Sequence, residues 1–197
     1  MGKKDERSHV SKTFVKVLME IISNIPSSSE PHSSAPHTRA QSIAKKAARK
    51  CAGIAGALAI PLGPWGLATI LPDLIYIWKI QSQMVADIAS TYGKTAILNR
   101  QVMLYCLFKH GSAALFRDVI ARVGERLLVR RVTLRTIQRI LRKISVRLTQ
   151  RVIGRAISRW LPAIGSLAIA AYAYYDTSRV AATAIETFKK EIEIEGK

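Results

Sequence analysis

The feature that most limits the fold of this chain is a segment of twenty residues, 52–71, that contains no ionisable side chain. The tetrapeptide Pro-Leu-Gly-Pro at 61–64 divides this segment into two shorter apolar arms. Its two prolines remove backbone donors and prevent a continuous helix. Because a single transmembrane helix needs about 20 consecutive, predominantly apolar residues, the pattern disfavours a straight span. It predicts a helical hairpin whose apex dips into a bilayer, with each arm satisfying its own backbone hydrogen bonds.

Helical periodicity recurs along the rest of the chain, and no useful stretch alternates apolar and polar residues as a strand does. The predicted fold class is all-α: a multi-helix bundle with two apolar helical elements bent at Pro and Gly, and with long Arg-rich amphipathic helices. Thr38 is the predicted N-cap of the second helix, and Gly93 is the predicted stop of the third, which is kinked or restarted at Pro72. The predicted helices cover about 10–25, 38–60, 65–89, 96–109, 113–123 and 133–158.

Composition divides the chain into four regions. The region 24–38 is rich in Ser and Pro and has almost no large apolar residue, as is typical of a linker. The predicted organisation is therefore an N-terminal amphipathic helix within 1–23, the linker 24–38, a helical domain over 39–192 and a short tail, 193–197.

Basic residues outnumber acidic ones by 31 to 13, which gives a formal net charge of +18. Most of the excess lies in 117–159, where twelve arginines and one lysine are opposed by two acidic residues. Such a surplus indicates a polyanionic partner, either anionic lipid or nucleic acid. The alternative is a solvated basic face of a bundle, although such faces usually mix both signs of charge. The predicted lipid- or anion-binding residues are Arg130, Arg131, Arg135, Arg139, Arg142, Lys143, Arg147, Arg151, Arg155 and Arg159.

The C-terminal region repeats the pattern of 52–71, since a Pro, a Gly and small apolar residues follow Trp160 without a charge until Asp176. Asp73 and Asp176 are predicted buried polar residues that either hold the two apolar elements in register with Lys or Arg or line a polar path. For Asp73 the favoured interpretation is capping of the helix start after Pro72. Aromatic residues beside apolar arms suit a membrane–water boundary, and they suit a protein core nearly as well. The predicted membrane-inserting or interfacial residues are Trp65, Trp78, Trp160 and Tyr76.

Two runs carry a resemblance to a known family. They are GALAIPLGPWGLATILPDLIYIWKIQSQMVADIASTYG at 56–93 and LPAIGSLAIAAYAYYDTSRVAATAIETF at 161–188. Their order resembles that of the EcsC family, and the likeness extends over about 38–188 without covering the Arg-rich stretch. The resemblance implies a helical, membrane-associated bacterial protein and supplies no catalytic residue.

No pattern of a catalytic or cofactor site stands in the sequence. The four histidines lack helical pairing, the two cysteines lack metal-site spacing, and the nucleotide-binding and hydrolase motifs are missing. We therefore expect no enzyme activity, no metal and no cofactor. The N-terminus lacks the pattern of a secretory signal, so the expected location is the cytoplasmic face of a membrane.

The leading functional hypothesis is a non-catalytic protein that binds anionic lipid surfaces, with a role as accessory to a membrane complex or transporter. Two alternatives stay open from sequence. One is a basic helical protein that binds nucleic acid through its arginines, although few aromatic residues are interleaved with them. The other is a membrane-inserting, pore-forming effector.

Overall fold

The computed structural model describes residues 3–58, 66–109, 135, 138, 141, 142, 146 and 162–190. Every regular element in these ranges is helical, which confirms the predicted all-α class. A 3₁₀ turn, Thr95–Ile97, lies between the third and fourth α-helices. The α-helices are α1 (Lys3–Ser23), α2 (Pro36–Leu58), α3 (Gly66–Thr91), α4 (Arg100–Phe108) and α5 (Pro162–Lys189).

The ends of α2 and α3 follow the proline and glycine pattern. Helix α2 begins at Pro36 rather than at the predicted cap Thr38, because the fixed φ of proline and its missing N–H suit the first turn of a helix. Helix α3 runs past Pro72 to Thr91 without a restart. Gly93 then adopts a φ of +66°, so the predicted left-handed stop is confirmed.

The prediction of one helix over 96–109 is wrong in its first turn. The 3₁₀ turn comes first, and α4 begins only at Arg100. The physical reason is Asn99, whose backbone is extended and whose side-chain oxygen accepts hydrogen bonds from the backbone N–H groups of Gln101 and Val102. Asparagine is among the preferred residues for this capping position.

The Arg-rich helices are described only in part. The predicted helix 113–123 lies outside the described residues. Within the predicted helix 133–158, the structure describes five residues, all with helical backbone: Arg135, Gln138, Leu141, Arg142 and Val146. Leu141 is fully buried in the main core, so this stretch contributes at least one side chain to the packing of the bundle.

Helices α2, α3 and α5 pack side by side, and α2 makes its most extensive contacts with α5. Gly56 of α2 lies against Ala170 of α5, whereas Cys51 lies beside Thr177, so α2 and α5 run in opposite directions. The Gln81 side chain of α3 also reaches Thr177, while the later Ile88 of α3 and Ala184 of α5 belong to one core cluster. Helix α3 therefore runs parallel to α5 and antiparallel to α2.

The main core lies at the Gly93 end of these three helices, which we call the core end. There α1 and α4 cover the bundle and contribute large side chains such as Leu18, Ile22 and Leu104, all fully buried. Phe188 of α5 is only 1% exposed in the same cluster. The burial of these aliphatic and aromatic groups is the main source of stability available to the fold.

The Ser/Pro-rich segment before α2 lies along α3 at the core end. Its contacts are polar: the Ser28 hydroxyl donates to Asp87 over 2.7 Å, and the Ser33 backbone N–H donates to the Thr91 carbonyl over 3.1 Å. Arg39 of α2 donates two hydrogen bonds of 2.9 Å to the Glu30 carboxylate. The segment is thus held by these hydrogen bonds together with Ile25 at its start, which is partly buried against the main core. The division of the chain into domains stays a prediction.

Candidate functional site

The opposite end of the three-helix layer, which we call the tip, consists of 52–58 of α2, 66–76 of α3 and 162–175 of α5. Its interior contains small groups: Cys51 and Ala55 of α2 meet Ala173 of α5, and the partly buried Ile77 and Ile80 pack against them. Small side chains let helix backbones approach closely. An added Cβ at Gly56 would stand 3.2 Å from the Ala170 Cβ, so α2 and α5 are in close contact here.

Helix α5 at the tip is turned with its large apolar side chains outward. Leu167 is 76% exposed, and Ile169 is also exposed, while Ala173 of the same helix is buried. An amphipathic helix of a water-facing bundle places its large apolar groups inward. The first half of α5 therefore presents large apolar side chains on both flanks of its packed side, and the described part of the fold does not cover them. We call this exposed apolar part of α5 the apolar face.

Four exposed tyrosines lie at the base of this apolar face. Because Gln81 reaches Thr177 and α3 runs parallel to α5, Tyr76, five positions before Gln81, lies about level with Tyr172 of α5. Tyr175 is the most exposed, at 58%, and the Arg179 guanidinium lies 5.8 Å from the centre of its ring. We call this set the tyrosine girdle: Tyr76, Tyr172, Tyr174 and Tyr175.

The structure separates the predicted interfacial residues. Tyr76 is exposed, as an interfacial residue must be. Trp78 is not: it is only 6% exposed and stacks edge-on against Phe108, with 5.9 Å between ring centres. Its assignment as an interfacial residue is corrected to core, because α4 covers the side of α3 on which it lies. Trp65 and Trp160 lie outside the described residues.

A polar cluster joins the three helices where the tip meets the core end. The side-chain amide of Gln81 in α3 donates to the Asp176 carboxylate over 3.0 Å and to the Thr177 hydroxyl over 3.1 Å. Cys51 of α2 hydrogen-bonds to the same threonine. Asp176 is thus partnered by an amide rather than by the predicted Lys or Arg. The Asp73 side chain lies outside the described residues.

Burial controls the ionisation of this cluster. Desolvation raises the pKa of the Asp176 carboxyl above its ordinary value, against an opposing effect of the Gln81 hydrogen bond. Desolvation likewise raises the pKa of the Cys51 thiol, with the Thr177 hydrogen bond acting in the opposite direction. The pKa of Cys106, in the core, is raised to about 12 by burial. Both cysteines are free and buried, and a thiol with a raised pKa is a poor nucleophile.

The predicted anion-binding residues are described at two positions, and Arg135 and Arg142 are both helical and exposed. The remainder lie outside the described residues: Arg130, Arg131, Arg139, Lys143, Arg147, Arg151, Arg155 and Arg159. No group of three or more His, Cys, Asp or Glu side chains that could hold a metal ion occurs in the described part of the chain.

The uncharged run of α5, 162–175, comprises 14 residues. At a rise of about 1.5 Å per residue it is about 21 Å long, whereas the hydrocarbon core of a bilayer is about 30 Å thick. Among the described helices, none combines the length and apolarity needed to cross a membrane.

Sequence reasoning identified the small residues of α5 but missed two features. It did not anticipate Gln81 as the partner of Asp176, and it did not predict which side chains of α5 point outward. A signal for the second was present: Ser166, Ala170, Ala173 and Thr177 recur at intervals of four and three, which is the spacing of a helix seam. Large apolar residues between such positions must lie off the seam.

Comparisons of this chain with protein-family models, with curated proteins and with solved structures find no match. The resemblance to the EcsC family stays a prediction.

Proposed function

We propose that this protein binds the surface of an anionic membrane without catalysing a reaction, by placing the apolar face of α5 shallowly in the lipid. The observation that carries the proposal is the exposure of Leu167 and Ile169, which lie on the two flanks of the packed side of α5, with Tyr175 exposed further along the helix. The partner is anionic lipid, and the cytoplasmic leaflet is the membrane surface that offers it. A role as accessory to a membrane complex or transporter is compatible with such binding.

The energetic argument rests on apolar area. Fully burying one Leu or Ile side chain is worth about 1.5–3 kcal/mol, so the exposed aliphatic groups of the apolar face carry a cost in water that lipid removes. Tyrosine has an apolar ring and a polar hydroxyl, and it favours the boundary between lipid and water. Helices that lie in the interface bury their apolar side about 5–10 Å into the headgroup and acyl boundary, and the uncharged part of α5, about 21 Å long, can reach that depth in a flat or an inclined orientation.

Charge supports the same partner. A net charge of +18 attracts an anionic leaflet, with about 1 kcal/mol for each Lys or Arg near the surface. Nucleic acid is the second candidate for that charge. It gives no reason for the outward Leu167 and Ile169, because phosphate contacts gain nothing from exposed aliphatic groups, and we therefore favour lipid.

Flotation with lipid vesicles tests the proposal. We expect the protein to float with anionic vesicles and to stay bound at high salt, because apolar insertion is not screened. The double substitution Leu167→Gln and Ile169→Gln should make binding salt-sensitive. A matched control, Ala96→Gln with Ala182→Gln, changes two exposed residues away from the apolar face and should bind like the unsubstituted protein. Complete release of the unsubstituted protein by salt alone would show that the apolar face does not insert.

A further inference from the structure

Six exposed cations of α2, α3 and α5 lie directly behind the tyrosine girdle, on the side away from the apolar face. We call this set the cationic collar: Lys45, Lys46, Arg49, Lys50, Lys79 and Arg179. None of them is among the residues that the sequence singled out for anion binding. Resting on the proposed function, we propose that the cationic collar binds the phosphates of anionic lipids while the tip enters the membrane first, with the helices inclined steeply to its surface.

The contacts between helices place these cations at one level. Cys51 of α2 lies beside Thr177, and because α2 runs antiparallel to α5, its residues 45–50 lie level with about 178–183 of α5. Gln81 of α3 reaches Asp176 and Thr177, so Lys79 lies level with the girdle residue Tyr175. At about 1.5 Å per residue, the collar occupies about 12 Å along the helix axes.

The exposed side of α2 is the main part of the cationic collar. Its opposite side is packed through buried alanines, including Ala40, Ala47 and Ala48, which turns the lysines and Arg49 to the outside. Helix α2 contains no acidic residue. An open groove of about 450 Å³ runs along this side and combines cations with hydroxyl and amide groups, both of which donate hydrogen bonds to phosphate. It is lined by Thr38, Gln41, Ser42, Lys45, Lys46 and Arg49.

Ion pairing separates the cationic collar from the core end. In the described part of the chain, none of the collar cations forms an ion pair with a carboxylate. At the core end the pattern is different, since Glu30 pairs with Arg39 at 2.8 Å and Glu186 pairs with both Lys109 and Lys190. No carboxylate of the described ranges therefore neutralises the six cations next to the tip, and their positive charge complements an anionic surface.

The order along the helices matches the order of groups in a bilayer leaflet. The apolar face corresponds to the hydrocarbon, the tyrosine girdle to the interface and the cationic collar to the phosphates. A protein that lay flat on the membrane would have no use for this layering. A nucleic acid would use the collar and leave the apolar face in water.

Two variants with equal loss of charge test the cationic collar. One carries Lys45→Gln, Lys46→Gln and Arg49→Gln, and the other carries Lys94→Gln, Lys189→Gln and Lys190→Gln at the core end. Each cation near an anionic surface strengthens binding about fivefold. We therefore expect the collar variant to lose about a hundredfold in affinity for phosphatidylcholine vesicles containing phosphatidylserine, and the core-end variant to lose less than about fivefold.

Equal losses in the two variants would overturn the collar, even if the unsubstituted protein still floats with vesicles at high salt. A collar variant that loses affinity for a duplex oligonucleotide but not for vesicles would overturn the lipid as its ligand.

Insertion depth tests the orientation independently. An environment-sensitive fluorophore is attached to Leu167→Cys at the tip or to Ala182→Cys toward the core end, about 22 Å away along α5. Both native thiols are buried, and the unsubstituted protein treated with the same reagent measures any background. We expect quenchers in the lipid acyl chains to quench the probe at 167 and to leave the probe at 182 unaffected. Equal quenching at both positions would show that the protein lies flat and would overturn the tip-first orientation.

Discussion

The two ends of the α2–α3–α5 layer use apolar residues in opposite ways. At the core end, large side chains such as Phe188 and Ile88 point inward and are buried under α1 and α4. At the tip, the interior is made of small groups around Cys51 and Ala55, while Leu167 points outward. The same three helices thus form a stabilising core at one end and an exposed apolar surface at the other. A fold stabilised at one end can leave apolar groups exposed at the other because its stability does not depend on burying them.

The largest expected effect separates the two ends by stability. Phe188→Ala removes a ring that is 1% exposed and should lower the free energy of unfolding by about 3–5 kcal/mol, because a cavity remains in the core. Leu167→Ala should change it by less than about 0.5 kcal/mol, since the side chain lies mostly in solvent. Urea unfolding followed by circular dichroism measures both. A similar loss in the two variants would mean that the apolar face is buried within the fold.

Glycines provide a second comparison of the two ends. Gly93 at the core end has a φ of +66°, and an added Cβ would approach a ring carbon of His32 to 2.9 Å, so Gly93→Ala should cost about 1–2 kcal/mol. Gly53 in α2 has no atom within 4 Å of an added Cβ. Gly53→Ala should therefore stabilise the fold by up to about 1 kcal/mol, through higher helix propensity. Thermal unfolding midpoints should shift in opposite directions, and a shift of the same sign would contradict the assigned backbone geometry.

The smallest expected effect concerns the polar cluster between the two ends. The pKa of Asp176 is raised in the folded state by burial, so the folded protein holds this proton more tightly than the unfolded chain does. Tighter binding of this proton stabilises the folded state at a pH below the ordinary aspartate pKa. This stabilisation is lost as the pH rises through the raised pKa, and it stays lost at higher pH. Asp176→Asn, which can still accept the Gln81 hydrogen bond, removes this loss.

Urea unfolding at about pH 3 and about pH 7 checks the sign. The variant should gain stability over the unsubstituted protein on going from the lower to the higher pH. Gln81→Leu, which removes the donor and keeps the carboxyl, is the matched control and should destabilise the fold, most strongly at neutral pH, where the buried carboxylate lacks its partner. If Asp176→Asn loses stability relative to the unsubstituted protein as the pH rises, Asp176 is favoured in its charged form and the effect of burial has been assigned the wrong sign.

Local patterns predicted the elements well wherever a single residue controls the backbone. The stop at Gly93 follows from the freedom of glycine at positive φ, and the absence of strand periodicity predicted the all-α class. The start of α4 was predicted too early, because the capping by Asn99 depends on a backbone conformation that spacing alone does not reveal. Trp78 shows a different limit: an aromatic residue beside an apolar segment suits a membrane boundary and a protein core equally, and only the position of Phe108 decides between them.

The order of residues was therefore enough to establish a helical, strongly basic chain with uncharged apolar stretches, because composition and periodicity are local properties. Which side of each helix is covered, and by what, depended on contacts between residues far apart in the chain. Gln81 reaches Asp176 and Thr177 across 95 and 96 positions, and these contacts turn Leu167 and the tyrosines outward and align the cations of three helices. That alignment is a product of packing, since helix register is set by the close approach of small residues such as Gly56 and Ala170 rather than by any one segment.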